Sequence, residues 1–190
     1  MTTALKDDNM KNPRPFKATL YKDWDGITNA PNPNFAEVMS IDVEILDNPY
    51  LVNPSRITFA PQVVRTIDQL REEYSVELVW STTWNYLNAV ELLHVHLNGL
   101  ANGRILPANL NHEAKGKGEW TAWKAEAIIA DQQANPRPFV WIDDNAPTYW
   151  GEYVSEQVSQ PHLIIIPDSR HGLTEEHFQQ VREFLNNHTR

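Results

Sequence analysis

The sequence predicts an α/β fold in which a mainly parallel sheet is covered by helices on both sides. Two observations predict it. Short runs that are apolar on both faces alternate with segments of helical periodicity, which is typical of a buried parallel sheet. The chain has 190 residues, of which 41% are hydrophobic and seven are tryptophan, and this is enough for one domain with a substantial core.

The first part of the chain is expected to contain three strands and a helix. Residues 1–16 are rich in Asn, Asp, Lys and Pro and are predicted to be a flexible leader, with a single domain over residues 17–190. The run KATLYKD is the first strand. Two short strands, in VMSIDVEIL and SRITFA, are expected to form a hairpin, a small flap at about residues 37–60. Pro61 suits the first turn of a helix, and the apolar stripe of that helix is Val63, Val64, Ile67 and Leu70.

Strands and helices alternate along the rest of the chain. VELVW predicts a strand that ends at Ser81, and a helix is expected from about Trp84 to Gly99. Its inward residues are predicted to be Leu87, Val90, Leu93 and Leu97. GRILPANL fits either a strand or a loop. PFVWIDD and HLIIIPD predict two further strands. Helices are expected in TAWKAEAIIADQQ, with Thr121 as a candidate N-cap, and from Thr174 to about Asn186.

Composition and charge exclude several classes of function. The formal net charge of −9 argues against a broad footprint for nucleic-acid backbones. The absence of cysteine excludes disulfides, thiolate catalysis and cysteine-based zinc sites. The N-terminus is polar and does not resemble a signal peptide, and the longest strongly apolar run, HLIIIP, is too short to span a membrane. The expectation is a cytoplasmic protein without a membrane partner.

Residues suited to chemistry follow three of the predicted strands. Asp23 and Asp25 end the first strand, Ser81, Thr82 and Thr83 end VELVW, and Asp143 and Asp144 end PFVWIDD. Lys124 lies near the start of the helix before that last strand. In open α/β sheets, ligands bind in the crevice outside the carboxyl ends of the strands. The carboxylates, hydroxyls and ammonium are therefore expected around one crevice.

Four carboxylates in one crevice repel each other unless a cation joins them. Oxygen ligands and the lack of cysteine favour Mg²⁺, which binds one or two protein carboxylates together with substrate phosphate oxygens. A carboxylate can then attack phosphorus, and a second carboxyl two residues further on can protonate the leaving oxygen. A lysine and a hydroxyl stabilise charge on the transferring group. Gly26 permits a sharp turn directly after the aspartate pair.

These residues resemble the four motifs of the haloacid dehalogenase (HAD) superfamily of phosphohydrolases. DWDG resembles the first motif, VELVWSTTW the second, WKAEAI the third and VWIDDNAP the fourth. Their order and spacing cover roughly residues 17–170. VWIDDNAP together with the closing PDSRHGLTEEH resembles a small bacterial and phage branch that is related to HAD domains of nucleic-acid repair proteins.

The resemblance implies a three-layer, Rossmann-like sandwich with a hairpin-sized cap, a Mg²⁺ cofactor and hydrolysis of a phosphate monoester through an aspartyl-phosphate intermediate. The substrate is expected to be a phosphorylated small molecule or nucleic-acid end. By position, the resemblance implies the following roles: Asp23 as nucleophile and metal ligand, Asp25 as general acid/base and metal ligand through its main-chain carbonyl, Thr82 as phosphoryl hydrogen-bond donor, Lys124 as neutralising cation, and Asp143 with Asp144 as further metal ligands.

Some alternatives stay open at this point. Ser81 or Thr83 can replace Thr82 as the hydroxyl, and Lys115 or Lys117 can replace Lys124 as the cation. Lys22 stands where the family usually has an apolar residue. Strand alternation turns its side chain away from that of Asp23, so it is interpreted as tolerated. The alternative function is a binding or structural protein that keeps the fold without turnover. The sequence does not define the oligomeric state.

Overall fold

In a computed structural model of the chain, residues 15–44, 55–84, 86–107 and 118–189 are described. Most of the leader expected at residues 1–16 lies outside these ranges. So do the turn of the predicted hairpin, the end of GRILPANL, and the alternative cations Lys115 and Lys117. The side chain of Leu87, expected to face inward, is also outside the described part.

A five-stranded parallel sheet forms the centre of the described fold. Its strands are β1 (Ala18–Lys22), β4 (Val76–Trp80), β5 (Arg104–Ile105), β6 (Phe139–Ile142) and β7 (His162–Ile165). They are arranged in the order β5-β4-β1-β6-β7, with every pair parallel. Strand β1 is therefore central, with β4 and β6 as its neighbours. The carboxyl ends of these three strands are in register, because Lys22 pairs with Trp80 on one side and with Ile142 on the other.

Helices cover both faces of this sheet and produce the three layers that the sequence predicts. The helices are α1 (Pro61–Tyr74), α2 (Tyr86–Glu91), α3 (Ala122–Ala134), α4 (Ala146–Gln157) and α5 (Glu175–His188). One apolar cluster joins Leu20 and Leu78 to the helices α1, α2 and α5. The other joins Tyr21 and Val79 to α3 and α4. Alternate residues of β1 and β4 thus belong to opposite layers, as the pleat of a strand requires. None of the described helices is long and apolar enough to cross a lipid bilayer.

A two-stranded antiparallel sheet follows β1 in the chain. It consists of β2 (Met39–Val43) and β3 (Ser55–Phe59), with Ile41 opposite Ile57. Its base is tied to the segment after β1, because the Thr58 carbonyl accepts from the Ala30 N–H at 2.9 Å and the Thr58 N–H donates to Asn29 Oδ1 at 2.9 Å. The hairpin predicted from the sequence is present and lies beside the end of β1.

Most helix boundaries agree with the sequence prediction. Pro61 occupies the first turn of α1, and all four residues of its predicted stripe are buried. Thr174 caps α5 in a capping box with His177, and the helix extends two residues beyond the predicted end. Thr121 precedes α3 as predicted but does not act as a side-chain cap. Its hydroxyl instead donates to the Gly118 carbonyl at 2.7 Å.

The helix after β4 differs from the regular helix that was predicted. After α2 the chain continues as a π-helical turn, Leu92–His96, in which the Leu97 N–H donates to the Leu92 carbonyl at 3.0 Å. The wider turn buries Leu92 together with the predicted Leu93 and Leu97, and it leaves Val90 only half-buried. A prediction based on the regular period of 3.6 residues does not include a π-helical turn of this kind.

Candidate active site

The parallel ladder aligns the residues that follow the three central strands. The Ser81 N–H donates to the Lys22 carbonyl at 2.8 Å, and the Asp23 N–H donates to the Ile142 carbonyl at 3.0 Å. Asp23, Ser81 and Asp143 therefore lie side by side at the carboxyl edge of the sheet. The strands that precede Asp23 and Asp143 are neighbours in the sheet.

Lys124 joins the buried carboxylates of Asp23 and Asp143. Its Nζ donates to Asp23 Oδ2 and, at 2.7 Å, to Asp143 Oδ2, and the lysine side chain is 1% exposed. Burial by itself lowers the pKa of Lys124, but Asp23 and Asp143 more than offset burial and raise this pKa above its ordinary value. The ammonium is therefore charged and links the first motif to the fourth.

Asp144 adds a third carboxylate to this cluster. Carboxylate oxygens of Asp23, Asp143 and Asp144 lie within 4.8 Å of one another. Burial, followed by repulsion from Asp143 and Asp23, raises the pKa of Asp144 to about 6. Among the described residues, one ammonium, that of Lys124, contacts this cluster, and it bonds to two of the three carboxylates, so the described cluster is short of positive charge.

Asp143 is also held by the start of helix α4. Its Oδ1 accepts the N–H groups of Asn145 at 3.0 Å and Ala146 at 2.8 Å. The amide groups at a helix N-terminus stabilise an anion through hydrogen bonds and the helix dipole. One oxygen of Asp143 thus caps the helix, and the other holds Lys124.

Asp25 has surroundings of a different kind. Its Oδ1 accepts from Asn29 Nδ2 at 2.7 Å, and its Oδ2 accepts from Trp84 Nε1 at 2.9 Å. Both donors are neutral. Burial, followed by the charge of Asp23, raises the pKa of Asp25. The sequence analysis assigned no chemical role to Asn29 or Trp84, although Asn29 lies just after the first motif and Trp84 is the last residue of the second.

Gly26 makes the turn between Asp25 and the flap. It has a φ of +68°, a region that glycine adopts without strain. A Cβ atom at this position would overlap the carboxyl group of Asp144. Glycine is therefore required here both by the backbone conformation and by the close approach of the fourth motif.

The three candidate hydroxyls do not lie on one side of the sheet. Ser81 alternates with Trp80 and so shares the face of Val79 and Asp23, where Lys124 lies. Its hydroxyl is buried and has no hydrogen-bond partner among the described residues. Thr82 instead lines a small apolar cavity on the other side, and its Oγ1 accepts from the Trp84 N–H at 3.4 Å. Thr83 is half-buried.

Lys22 is completely buried on the face opposite to the carboxylate of Asp23. As alternation predicts, its stem points away from that side chain. Its Nζ nevertheless returns to the main chain and donates to the Asp23 carbonyl at 2.7 Å. The ammonium lies 4.3 Å from the ring centre of Trp80 and 5.5 Å from that of Trp24. Burial lowers the pKa of Lys22 to about 7, although Asp23 and Asp25 oppose this shift.

Comparison with known families agrees with this geometry. Residues 19–178 match the model of the HAD domain in Swiss Army Knife RNA repair proteins. The chain belongs to this family. No curated protein matches the sequence. The match spans most of the chain and contains all four motifs, so the resemblance to HAD domains of nucleic-acid repair proteins is confirmed. Membership supports a phosphohydrolase-type enzyme in general terms.

The residues of the cluster fit the metal that HAD enzymes generally use. Asp23, Asp143 and Asp144 offer closely spaced oxygen atoms, and carboxylate oxygen is the ligand type that Mg²⁺ prefers. The shortage of positive charge in this cluster is a second reason to expect a divalent cation.

Proposed function

We propose that this protein is a Mg²⁺-dependent phosphatase that hydrolyses a phosphate monoester through an aspartyl-phosphate intermediate. The observation that best supports it is the contrast within the opening pair. Asp23 contacts a buried ammonium, whereas Asp25 is bonded only to neutral donors and has a raised pKa. Two carboxyl groups in such different surroundings are suited to different roles in one reaction.

In this proposal Asp23 is the nucleophile, and Asp25 is the general acid and base. An oxygen of Asp23 attacks phosphorus, the ester P–O bond breaks, and the leaving oxygen takes the proton of Asp25. Water then attacks the phosphoryl group, Asp25 accepts its proton, and the bond from phosphorus to Asp23 breaks. Lys124 and the N-terminus of α4 keep Asp23 and Asp143 in place throughout.

Asp23, Asp143, Asp144 and the main-chain carbonyl of Asp25 are proposed to hold the Mg²⁺ ion. When bound, the ion neutralises charge on the carboxylates and on the phosphoryl oxygens. Metal binding also lowers the pKa of Asp144, since a nearby positive charge favours the ionised form.

We propose Ser81 rather than Thr82 as the hydroxyl that donates to the phosphoryl group. The unpartnered, buried hydroxyl of Ser81 on the face of Asp23 supports this choice. Ser81→Ala should lower kcat/KM by about 10-fold or more, the loss of a hydrogen bond to a charged group. Thr82→Val, which removes the other candidate hydroxyl and keeps the side-chain volume, is the matched comparison and should retain activity. The opposite result would restore the assignment to Thr82.

The substrate is proposed to be a phosphorylated nucleic-acid end, with a small phosphorylated molecule as the alternative. The repair-protein family supports the first. The size of the flap supports it too, because β2 and β3 are five residues each and leave room for a large substrate beside Asp25. The flap is proposed to act as the cap that touches this substrate.

Phosphate release tests the proposal directly. The purified protein is assayed with an aryl phosphate, nucleotides, sugar phosphates and oligonucleotides phosphorylated at either end, with Mg²⁺ and with chelator. Mg²⁺-dependent release that Asp23→Asn abolishes is expected. If no substrate releases phosphate while Mg²⁺ still binds, the protein is a catalytically silent member of the fold, the alternative function.

A further inference from the structure

Lys22 is a buried cation that none of the proposed roles uses. It is the last residue of β1 and is 0% exposed. Among the described residues, no carboxylate lies within ion-pair distance of its ammonium. Its hydrogen bond goes to the main-chain carbonyl of Asp23, and the rings of Trp80 and Trp24 lie beside it. Such a group is costly to bury, so its presence needs an explanation.

The hydrogen bond lies where the parallel ladder stops. The Lys22 carbonyl accepts from the Ser81 N–H, and the Asp23 N–H donates to the Ile142 carbonyl. The Asp23 carbonyl is the next acceptor along the chain, and the ammonium of Lys22 satisfies it. A buried carbonyl without a donor would destabilise the fold. A shorter neutral donor, such as a glutamine amide, would satisfy it equally well, so stability alone does not account for a lysine at this position.

The bonded carbonyl belongs to the peptide group that also holds the carboxylate of Asp23. The N–H of the same peptide, on Trp24, donates to Asp23 Oδ1 at 2.6 Å. The other oxygen, Oδ2, is bonded to Lys124. The two oxygens are therefore fixed from two directions, one through Lys124 and one through a peptide that Lys22 anchors. An ammonium on the carbonyl also polarises the peptide and strengthens its N–H as a donor.

We propose that Lys22 is a positioning residue for the reaction: it locks the peptide between Asp23 and Trp24 and thereby aims the carboxylate of Asp23. The proposal rests on the proposed function, in which Asp23 attacks phosphorus. Lys22 touches no substrate, so it acts on the orientation of the nucleophile and not on binding. Misplacing a reacting group by about 1 Å can lower a rate by about 100-fold.

Lys22→Met and Lys22→Gln test the role. Methionine fills a similar volume without charge or donor, and replacing a buried charge by an apolar side chain is often neutral or stabilising. In Lys22→Met the loss of the donor to the Asp23 carbonyl lowers stability and the removal of a buried charge raises it. We therefore expect a melting temperature within about 5 °C of wild type, with kcat reduced about 10- to 100-fold and KM within about 3-fold. Lys22→Gln keeps an N–H donor and should recover part of kcat. Thr19→Val, a buried change on the same strand, is the control and should leave kcat unchanged.

Amide hydrogen exchange gives a readout that does not need turnover. In Lys22→Met the amide of Trp24 should exchange at least about 10-fold faster, because its bond to Asp23 is loosened, while the amide of Tyr21 in the sheet stays protected. Unchanged exchange at Trp24, or a wild-type kcat in Lys22→Met, overturns the proposal. A melting temperature that falls together with kcat, without recovery in Lys22→Gln, overturns it as well, because Lys22 is then a structural anchor.

Failure of this inference is distinct from failure of the proposed function. A wild-type protein that releases no phosphate refutes the function, and the exchange experiment still decides whether Lys22 anchors the peptide. An active wild type with an equally active Lys22→Met variant refutes the positioning role alone.

Discussion

Replacing Lys124 by methionine should destabilise the metal-free protein more than any surface change. The ammonium is buried between Asp23 and Asp143, so its removal leaves two buried carboxylates without their cation. Breaking a buried ion pair by removing one partner costs about 3–5 kcal/mol. For a chain of this length, each kcal/mol lowers the melting temperature by about 2–4 °C. The expected loss is therefore about 6–20 °C in chelator at pH 7.5.

Mg²⁺ and acid should each restore part of this stability. A cation bound to the folded state stabilises it by about 2.7 kcal/mol at a concentration 100 times its Kd. Burial raises the folded-state pKa values of Asp143 and Asp144, and removal of Lys124 takes away the nearby positive charge that opposes this rise. The folded state then binds more protons, so stability rises as the pH falls from about 7.5 towards 5. In the wild-type protein, the raised pKa of Asp144, about 6, also makes stability rise as the pH falls, but by a smaller amount.

Thermal melts test this reasoning. They compare wild type, Lys124→Met and Lys17→Met at several pH values, with and without Mg²⁺. Lys17 is exposed, and its variant controls for loss of one positive charge on the whole chain. The difference in melting temperature between Lys124→Met and wild type should become smaller with Mg²⁺ and at lower pH. The melting temperature of Lys17→Met should follow that of wild type under all conditions. The proposed charge balance would be refuted by a Lys124→Met variant that melts within about 2 °C of wild type in chelator. It would also be refuted if Mg²⁺ raised the melting temperature of the variant no more than that of wild type.

Three further changes probe the cluster from other sides. Asp25→Asn should lose about 10²–10⁴-fold in rate on alkyl phosphates and much less on aryl phosphates, whose leaving groups need little protonation; single-turnover rates on both substrates measure this, and equal losses would contradict it. Gly26→Ala should lower the free energy of unfolding by about 1–3 kcal/mol because of the positive φ at this position, as measured by urea unfolding. It should also weaken Mg²⁺ binding in calorimetry, because the added Cβ displaces Asp144. Asp143→Asn should abolish Mg²⁺ binding in calorimetry, whereas the exposed control Asp168→Asn should bind as wild type does; equal affinities would remove Asp143 from the site.

The sequence was sufficient to predict the layers of the fold and the edge of the sheet where the site lies. Both follow from local signals. Strands that are apolar on both faces require helices on both sides, and polar residues directly after such strands must meet at one edge. Asp23 and Asp143 are neighbours because each follows one of two adjacent parallel strands, β1 and β6. A helix holds Lys124 more rigidly than a glycine-flanked loop would hold Lys115 or Lys117, and among the described lysines Lys124 is the one that contacts both carboxylates.

The finer contacts depend on side chains that meet only in the folded chain. Trp84 donates to Asp25 from a position 59 residues away, and no local pattern predicts such a bond. Alternation places the stem of Lys22 on the far face, yet four methylenes allow its ammonium to return to the Asp23 carbonyl. The same alternation, applied with the register of β4, would have favoured Ser81 over Thr82 on the face of Asp23. That register is a tertiary property and was not available from the sequence.

The spacing of the opening pair explains why two chemically identical side chains acquire different surroundings. Asp23 still belongs to the ladder, so the pleat directs its carboxylate to the face where α3 supplies an ammonium. Asp25 lies beyond the last ladder bond, and the turn at Gly26 brings it to Asn29, whose side-chain oxygen Oδ1 also accepts from the Thr58 N–H of the flap. Only neutral donors reach it there, and burial then favours its protonated form. A separation of two residues across the end of a strand is therefore enough to place one carboxyl group against a buried ammonium and the other among neutral donors. The flap shares Asn29 with Asp25, so in the proposed mechanism it adjoins the general acid and not the nucleophile.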